Sequence, residues 1–178
     1  ICDVVANELV FHVQPSGLIS GRLLDVQPVV VAQNLGVVDL DFTDVVLLQA
    51  SGSGTHLGGL ATAVSGVATF SELVYQASVD KEVVTFIAND SGGGIEGKLA
   101  ATTSDTLTAE VIASRLVFLA FPSGVVSGQP FLTQPVIAAQ DSFGVTDVDF
   151  SDRVVLSANG PGQLSNSSVV ASNGVATF

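Results

Sequence analysis

The chain has no methionine and no tryptophan, one cysteine, one tyrosine, two histidines and five basic residues in 178. The single cysteine, Cys2, has no partner for an internal disulfide, so a secreted form would be held by core packing alone. One Cys and two separated His leave zinc and thiol chemistry short of ligands and partners. The five cations (Arg22, Lys81, Lys98, Arg115, Arg153) face 17 acidic residues, for a formal charge of -12. That balance excludes nucleic acid, whose phosphates call for Lys and Arg, and it argues against anionic membrane surfaces. No run of about 18 apolar residues exists, which excludes insertion as a membrane-spanning helix. The longest candidate, "VIASRLVFLAF" at 111–121, is interrupted by Ser114 and Arg115. The first residues, "ICDVVANELVF", carry no Met, basic n-region or cleavage pattern and read as the interior of a longer protein.

Hydrophobic residues make up 47% and charged residues 12%, which suits a buried fold rather than disorder. The apolar set is Val, Leu, Ile, Ala and Phe among abundant Gly, a composition of strands and turns.

An internal repeat dominates the chain. "ANELVFHVQPSGLISGRLLDVQPVVVAQN" (6–34) lies over "ASRLVFLAFPSGVVSGQPFLTQPVIAAQD" (113–141). After a one-residue insertion near Ser142–Phe143, 36–54 lies over 144–162, and both copies run to GVATF at 66–70 and 174–178. Identity holds at 31 of 65 aligned positions, which sets the register residue by residue. The 107-residue offset from Ala6 to Ala113 matches one immunoglobulin-type sandwich. "CDVV" before Ala6 corresponds to "AEVI" before Ala113. The expected organisation is therefore the end of a preceding repeat at 1–5, a complete repeat at 6–111, and a second repeat at 113–178 without the equivalent of 71–111.

Turn residues divide the first repeat into short strands, expected near 8–13, 27–33, 37–42, 44–50, 60–64, 67–75, 83–88 and 99–111. Pro28 stands at a strand start, where its missing N–H costs least. No stretch has helical periodicity with caps. Many short strands with regular turn signals predict an all-β fold, tandem β-sandwiches with the second one incomplete. In "VVDLDFTD" and "VTDVDFSD", period two predicts Leu40, Phe42, Val148 and Phe150 on the core face. Asp39, Asp41, Asp147 and Asp149 are predicted on the solvent face. In GVATF, Ala68 and Phe70 are expected on one face, Val67 and Thr69 on the other.

The string "QPFLTQPVIAAQDSFG" (129–144) with "ASNGVATF" (171–178), and its counterpart in the first copy, resembles the bacterial Ig-like tandem repeats of surface adhesins, of the Big and invasin type. The resemblance covers essentially the whole chain as two units. It implies an extracellular β-sandwich repeated in a long array, serving as a stalk or adhesive fibre. The first copy departs from the family pattern in its late strand, "KEVVTFIAND", which has Val83 and Val84 and no Tyr; Tyr75 sits earlier.

Candidate chemistry is sparse. Asp39, Asp41 and Asp44, repeated as Asp147, Asp149 and Asp152, offer hard oxygens suited to Ca²⁺. An EF-hand is excluded: its sixth position holds Asp44 or Asp152 instead of Gly, and its twelfth Ala50 or Ala158 instead of Glu. A looser Ca²⁺ site and a plain solvated acidic face are the two readings left. "GSGTHLGG" (52–59) has the wrong spacing for a dinucleotide loop and reads as a hairpin loop. "NDSGGG" (89–94) contains Asp-Ser-Gly but no partner, and reads as a turn. His12 and His56 correspond to Leu119 and Leu164, an exchange a general base would not tolerate. His12 is expected as a partly buried strand residue and His56 as a loop residue.

The expectation is a non-enzymatic structural or adhesive repeat segment of an extracellular surface protein or fibre, with no cofactor apart from the open Ca²⁺ question. Its partners would be copies of itself or neighbouring Ig-like repeats, or other cell-surface proteins or glycans. Two alternatives are a self-assembling filament or sheath subunit whose open second domain is completed by a neighbouring chain, and a glycan-binding accessory module. The near-absence of Trp and Tyr disfavours the last.

Overall fold

The computed structural model describes residues 3–92 and 96–178. The chain divides into two compact units, Ile1–Glu110 and Val111–Phe178. Both are all-β, and among the described residues every ladder between two strands is antiparallel, with isolated parallel bridges at Glu8–Ala100 and Ile19–Glu110, an arrangement consistent with sandwich layering.

Unit 1 begins with β1 (Glu8–Val13), β2 (Arg22–Leu23), β3 (Val29–Asn34), β4 (Val37–Val38), β5 (Val45–Ala50) and β6 (Thr55–Leu57). It continues with β7 (Leu60–Thr62), β8 (Val67–Thr69), β9 (Val74–Gln76), β10 (Glu82–Val84), β11 (Phe86–Asp90), β12 (Thr102–Thr103) and β13 (Leu107–Ala109). One sheet runs β1-β3-β4 with β8 also on β3, and another runs β12-β11-β5-β7. Smaller sheets are β2-β9-β6 and β10-β13. Alternation produces the core: Leu9 and Phe11 from β1, Val46 and Leu48 from β5, and Val84, Phe86 and Ala88 from the late strands are all buried. Tyr75 on β9 is also fully buried and meets Phe86 edge-on at 6.3 Å.

Unit 2 contains β14 (Arg115–Ala120), β15 (Val136–Gln140), β16 (Arg153–Val155), β17 (Ser168–Val170) and β18 (Val175–Thr177). Its sheets are β14-β15-β18 and β16-β17. These reproduce the pairings β1-β3-β8 and β5-β7 of unit 1, strand for strand under the repeat alignment. Even the irregularity recurs: the register slips between Phe11 and Val13 and again between Phe118 and Ala120. A small core forms from Ile137, Val154, Ala171 and Ala176, with Phe150, Leu156 and Phe178 packed half-buried against it.

GVATF behaves as its alternation requires. Ala68 and Ala176 are buried, while Thr69 and Thr177 are exposed. The strand is entered through a left-handed pair, Ser65–Gly66 in one unit and Asn173–Gly174 in the other. Gly66 has φ +79°, and a Cβ there would stand 2.2 Å from the Asp39 carbonyl oxygen, so only glycine fits.

Several expected strands are shorter than period-two reading suggests. The segment 67–75 breaks into β8 and β9, because Phe70 and Leu73 both turn inward around the intervening bend. The segment 99–111 holds only the short β12 and β13. His56 lies in β6 rather than a loop, and His12 is exposed on β1 rather than partly buried. Cys2 at the start of the 1–5 segment, and Gly93 and Gly94 of "NDSGGG", lie outside the described residues.

Candidate functional site

The acidic stretch shared by the copies is not a strand. β4 ends at Val38, and residues 39–42 form a turn closed by the Phe42 N–H donating to the Asp39 carbonyl at 3.4 Å. The face assignment changes accordingly. Asp39 is 1% exposed and Leu40 is 68% exposed, the reverse of the alternation expected for a strand. Phe42 is buried as expected, because the turn brings it back to the core. Asp147 is likewise buried and Val148 exposed.

The reason is local chemistry. An Asp side chain can accept the N–H two residues ahead, and this offers the backbone an alternative to the ladder. Asp39 Oδ1 accepts from Asp41 N at 3.0 Å, and Oδ2 accepts from Ala6 N at 2.9 Å. Asp147 Oδ1 accepts from Asp149 N at 3.1 Å and Phe150 N at 3.0 Å; Oδ2 accepts from Ala113 N at 2.9 Å. Each buried carboxylate thus pins the start of the first strand of its unit to the turn. The surrounding backbone repeats too. Ala32 N donates to Gly66 O, Asp39 N to Ala32 O and Gly66 N to Phe42 O; Ala139, Gly174, Asp147 and Phe150 form the same circuit.

Asp41, Asp149 and Asp152 are exposed and Asp44 is half-buried. Among the described residues, no group of three or more His, Cys, Asp or Glu is placed to hold a metal ion. A cation at Asp39 or Asp147 would compete with backbone donors already bound there.

The densest polar arrangement was not visible as a motif. Glu82, Val84, Phe86, Ala88 and Asp90 are all buried, a run of period two with a carboxylate at each end. Asp90 closes its turn, with Oδ1 accepting from Gly92 N at 2.9 Å and Oδ2 from Leu99 N at 3.1 Å. Glu82 Oε1 accepts from Ser53 N at 2.5 Å, Ser53 Oγ at 2.8 Å and Gly54 N at 3.3 Å. Its Oε2 accepts from Ser78 N at 2.9 Å and Ser78 Oγ at 3.4 Å. The Tyr75 hydroxyl joins the cluster, accepting from Gly54 N at 2.9 Å and hydrogen-bonding Glu82. Burial disfavours the Glu82 charge, but the donors from Ser78, Ser53 and Tyr75 outweigh it and hold the carboxyl at about 2. Burial, with the Glu82 charge nearby, pushes the Tyr75 hydroxyl up despite the Gly54 donor. The signal in the sequence was the alternation itself: Val84 and Phe86 inside put Glu82 inside.

His56 is held structurally, with Nε2 at 3.0 Å from the Leu48 carbonyl and its ring edge-on to Phe86 at 6.4 Å. A shallow groove lined by Gln14, Pro15, Leu18, Asp105, Thr106 and Thr108 contains one carboxylate and no histidine or cysteine. Lys81 pairs with Glu110.

The remaining feature is a surface. Unit 2 exposes Leu116, Leu119, Phe121, Val125, Val126 and Leu132 on and after β14. Phe118 and Phe121 stack on each other at 5.0 Å. Single exposed apolar residues are ordinary; here those just named all fall between 116 and 132, a concentration of the kind found at interaction surfaces. No family model matches the chain, and no curated protein matches it.

Proposed function

We propose that this chain is a non-enzymatic structural or adhesive segment of a long extracellular surface protein or fibre, built from tandem Ig-like repeats. The observation that carries this reading is the repeat of a whole local scaffold: the β1-β3-β8 and β14-β15-β18 sheets, each with the same slip and the same buried Asp. What the copies share is architecture, and the buried carboxylates serve backbone amides rather than a cleft. A Lys-poor surface of net charge -12 keeps such units soluble and invites bridging by cations or by basic partners. The adhesin-repeat resemblance of 129–144 and 171–178 supports the same class.

The test is the native material. Intact mass from the source, with labelling of whole cells by a membrane-impermeant reagent, should give a species far above 18.1 kDa that is labelled on the surface. A cytosolic protein near that mass would end this reading. The exposed apolar face of unit 2 favours one alternative within the class, a subunit whose second unit is completed by a neighbouring chain.

A further inference from the structure

Unit 1 holds the peptide group between Val5 and Ala6 from both sides. Its N–H, on Ala6, donates to Asp39 Oδ2 at 2.9 Å. Its C=O, on Val5, accepts from Asn34 Nδ2 at 2.9 Å. In a trans peptide the N–H and C=O point opposite ways, so each side needs its own partner. Under the repeat alignment the same peptide in unit 2 joins Ile112 and Ala113, with Asp147 in the place of Asp39 and Asp141 in the place of Asn34. The N–H side is reproduced: Ala113 N donates to Asp147 Oδ2 at 2.9 Å. The strand pairing beside it is reproduced too, with Ser114 N donating to Gln140 O at 2.8 Å as Asn7 N does to Gln33 O at 3.0 Å. The Ile112 carbonyl is therefore directed as the Val5 carbonyl is, towards the side chain of residue 141. There an amide that donates has been replaced by a carboxylate, which only accepts.

The loop after Asp141 draws that carboxylate inside. It is one residue longer than the turn after Asn34, by the insertion near Ser142–Phe143. Phe143 N and Val145 N each donate to Asp141 Oδ1 at 2.9 Å, and Asp141 N donates to Val145 O at 2.9 Å. Asp141 is 5% exposed, whereas Asn34 is half-buried. Asp141 Oδ2 has no hydrogen-bond partner, alone in that respect among the buried side-chain nitrogens and oxygens of the described residues. Arg115 reaches the same loop, with Nη2 3.8 Å from where a Cβ on Gly144 would stand, but it makes no hydrogen bond to Asp141 Oδ2. Ile112 is exposed, so the pair of oxygens lies next to solvent.

We propose that Asp141 Oδ2 and the Ile112 carbonyl together bind a monovalent alkali cation, sodium or potassium, just ahead of β14. A buried acceptor without a partner calls for a water or an ion. Water supplies hydrogens but no charge, and a carboxylate buried without a counter-charge is costly. A cation satisfies both oxygens and neutralises the carboxylate. The charge of the site also selects the ion. One carboxylate and one carbonyl suit a single positive charge whose other ligands are waters. Calcium takes roughly six to eight oxygens, several of them carboxylate. Asp147 cannot supply them, because both its oxygens already accept backbone amides. Unit 1 needs no such ion, since Asn34 carries its donor in the side chain. The inference concerns residues 112–147 alone and makes no use of where the protein works.

The test uses the whole 178-residue chain at fixed ionic strength, with sodium or potassium chloride exchanged for N-methylglucamine chloride, whose cation is too large for the site. Amide hydrogen exchange at Phe143 and Val145 is expected to slow in a saturable way. The slowing should be about tenfold when the alkali cation stands at ten times its dissociation constant. Asp141→Asn gives unit 2 the donor that unit 1 has, and should exchange equally in all three salts. Asp152→Asn removes an exposed carboxylate of the same unit and should keep the salt difference. Crystals of the unaltered chain grown in rubidium chloride should show an anomalous peak in contact with Asp141 Oδ2 and the Ile112 carbonyl, a measurement that depends on no variant. Several results would overturn the proposal: exchange that follows ionic strength alone, a salt difference that survives in Asp141→Asn, or water in place of rubidium on Oδ2. A response to calcium stronger than to either alkali cation would overturn it as well, by making the site divalent.

Discussion

Asp39 and Ala6 are 33 residues apart in the chain, and the Asp39 carboxylate accepts the Ala6 amide at 2.9 Å in a buried site. Asp147 and Ala113 reproduce the bond at the same distance. The pairing turns an acidic motif into a clasp between the first strand and the turn after β4 or β15.

Truncating that clasp leaves backbone donors without partners. Asp39→Ala is expected to destabilise unit 1 by about 2–4 kcal/mol, since hydrogen bonds to a charged acceptor contribute roughly 1.5–3 kcal/mol each. Leu40→Ala, next to it but exposed, should stay within about 0.5 kcal/mol of wild type. Urea denaturation of the two variants checks the contrast, and equal losses would contradict the turn geometry.

Glu82 makes stability depend on pH with a definite sign. The donors around it hold its folded carboxyl at about 2, below its ordinary value of 4.5. Its contribution is therefore fully present above the higher of these and is lost as the pH falls towards the lower. Denaturation midpoints measured from pH 6 to pH 2 should fall more steeply for wild type than for Glu82→Gln. Parallel curves would remove Glu82 from the account.

Gly66→Ala should cost more than Gly36→Ala. Both glycines have positive φ, +79° and +80°, so both pay the left-handed penalty of about 1–2 kcal/mol. A Cβ at Gly66 meets the Asp39 carbonyl at 2.2 Å, while nothing lies within 4 Å at Gly36. The difference between their melting points isolates the clash, and no difference would mean that the turn shifts freely.

Calcium is expected to leave the melting temperature where chelator leaves it. At Asp39 and Asp147 both carboxylate oxygens already accept backbone amides, and a cation would have to displace those donors. A rise with Ca²⁺ that is abolished by Asp41→Asn or Asp149→Asn would restore a site on the exposed carboxylates.

Much of this molecule was legible residue by residue. The all-β class follows from composition and punctuation, and the equivalence of 6–70 with 113–178 follows from the alignment. Ala68 inside and Thr69 outside follow from period two, because a strand extended between fixed turns has no other freedom. Where a side chain could bond its own backbone, that rule failed. Asp39 and Asp147 capped turns instead of continuing strands, so Leu40 went out and the carboxylate went in.

Sequence alone determined the repeat, its register and the two faces of GVATF, since these depend on aligned copies and on neighbours two residues apart. Only the tertiary structure decided which carboxylates are buried and which apolar residues are left open. Glu82 is an ordinary acidic residue until Ser53 and the Tyr75–Ser78 stretch converge on it from two separate segments. Leu9 and Leu116 are the same amino acid in the same local sequence; what separates 2% from 51% exposure is a strand set 70 to 100 residues away in one unit and without counterpart in the other. Alternation tells which face a side chain takes; what packs on that face decides whether it is buried.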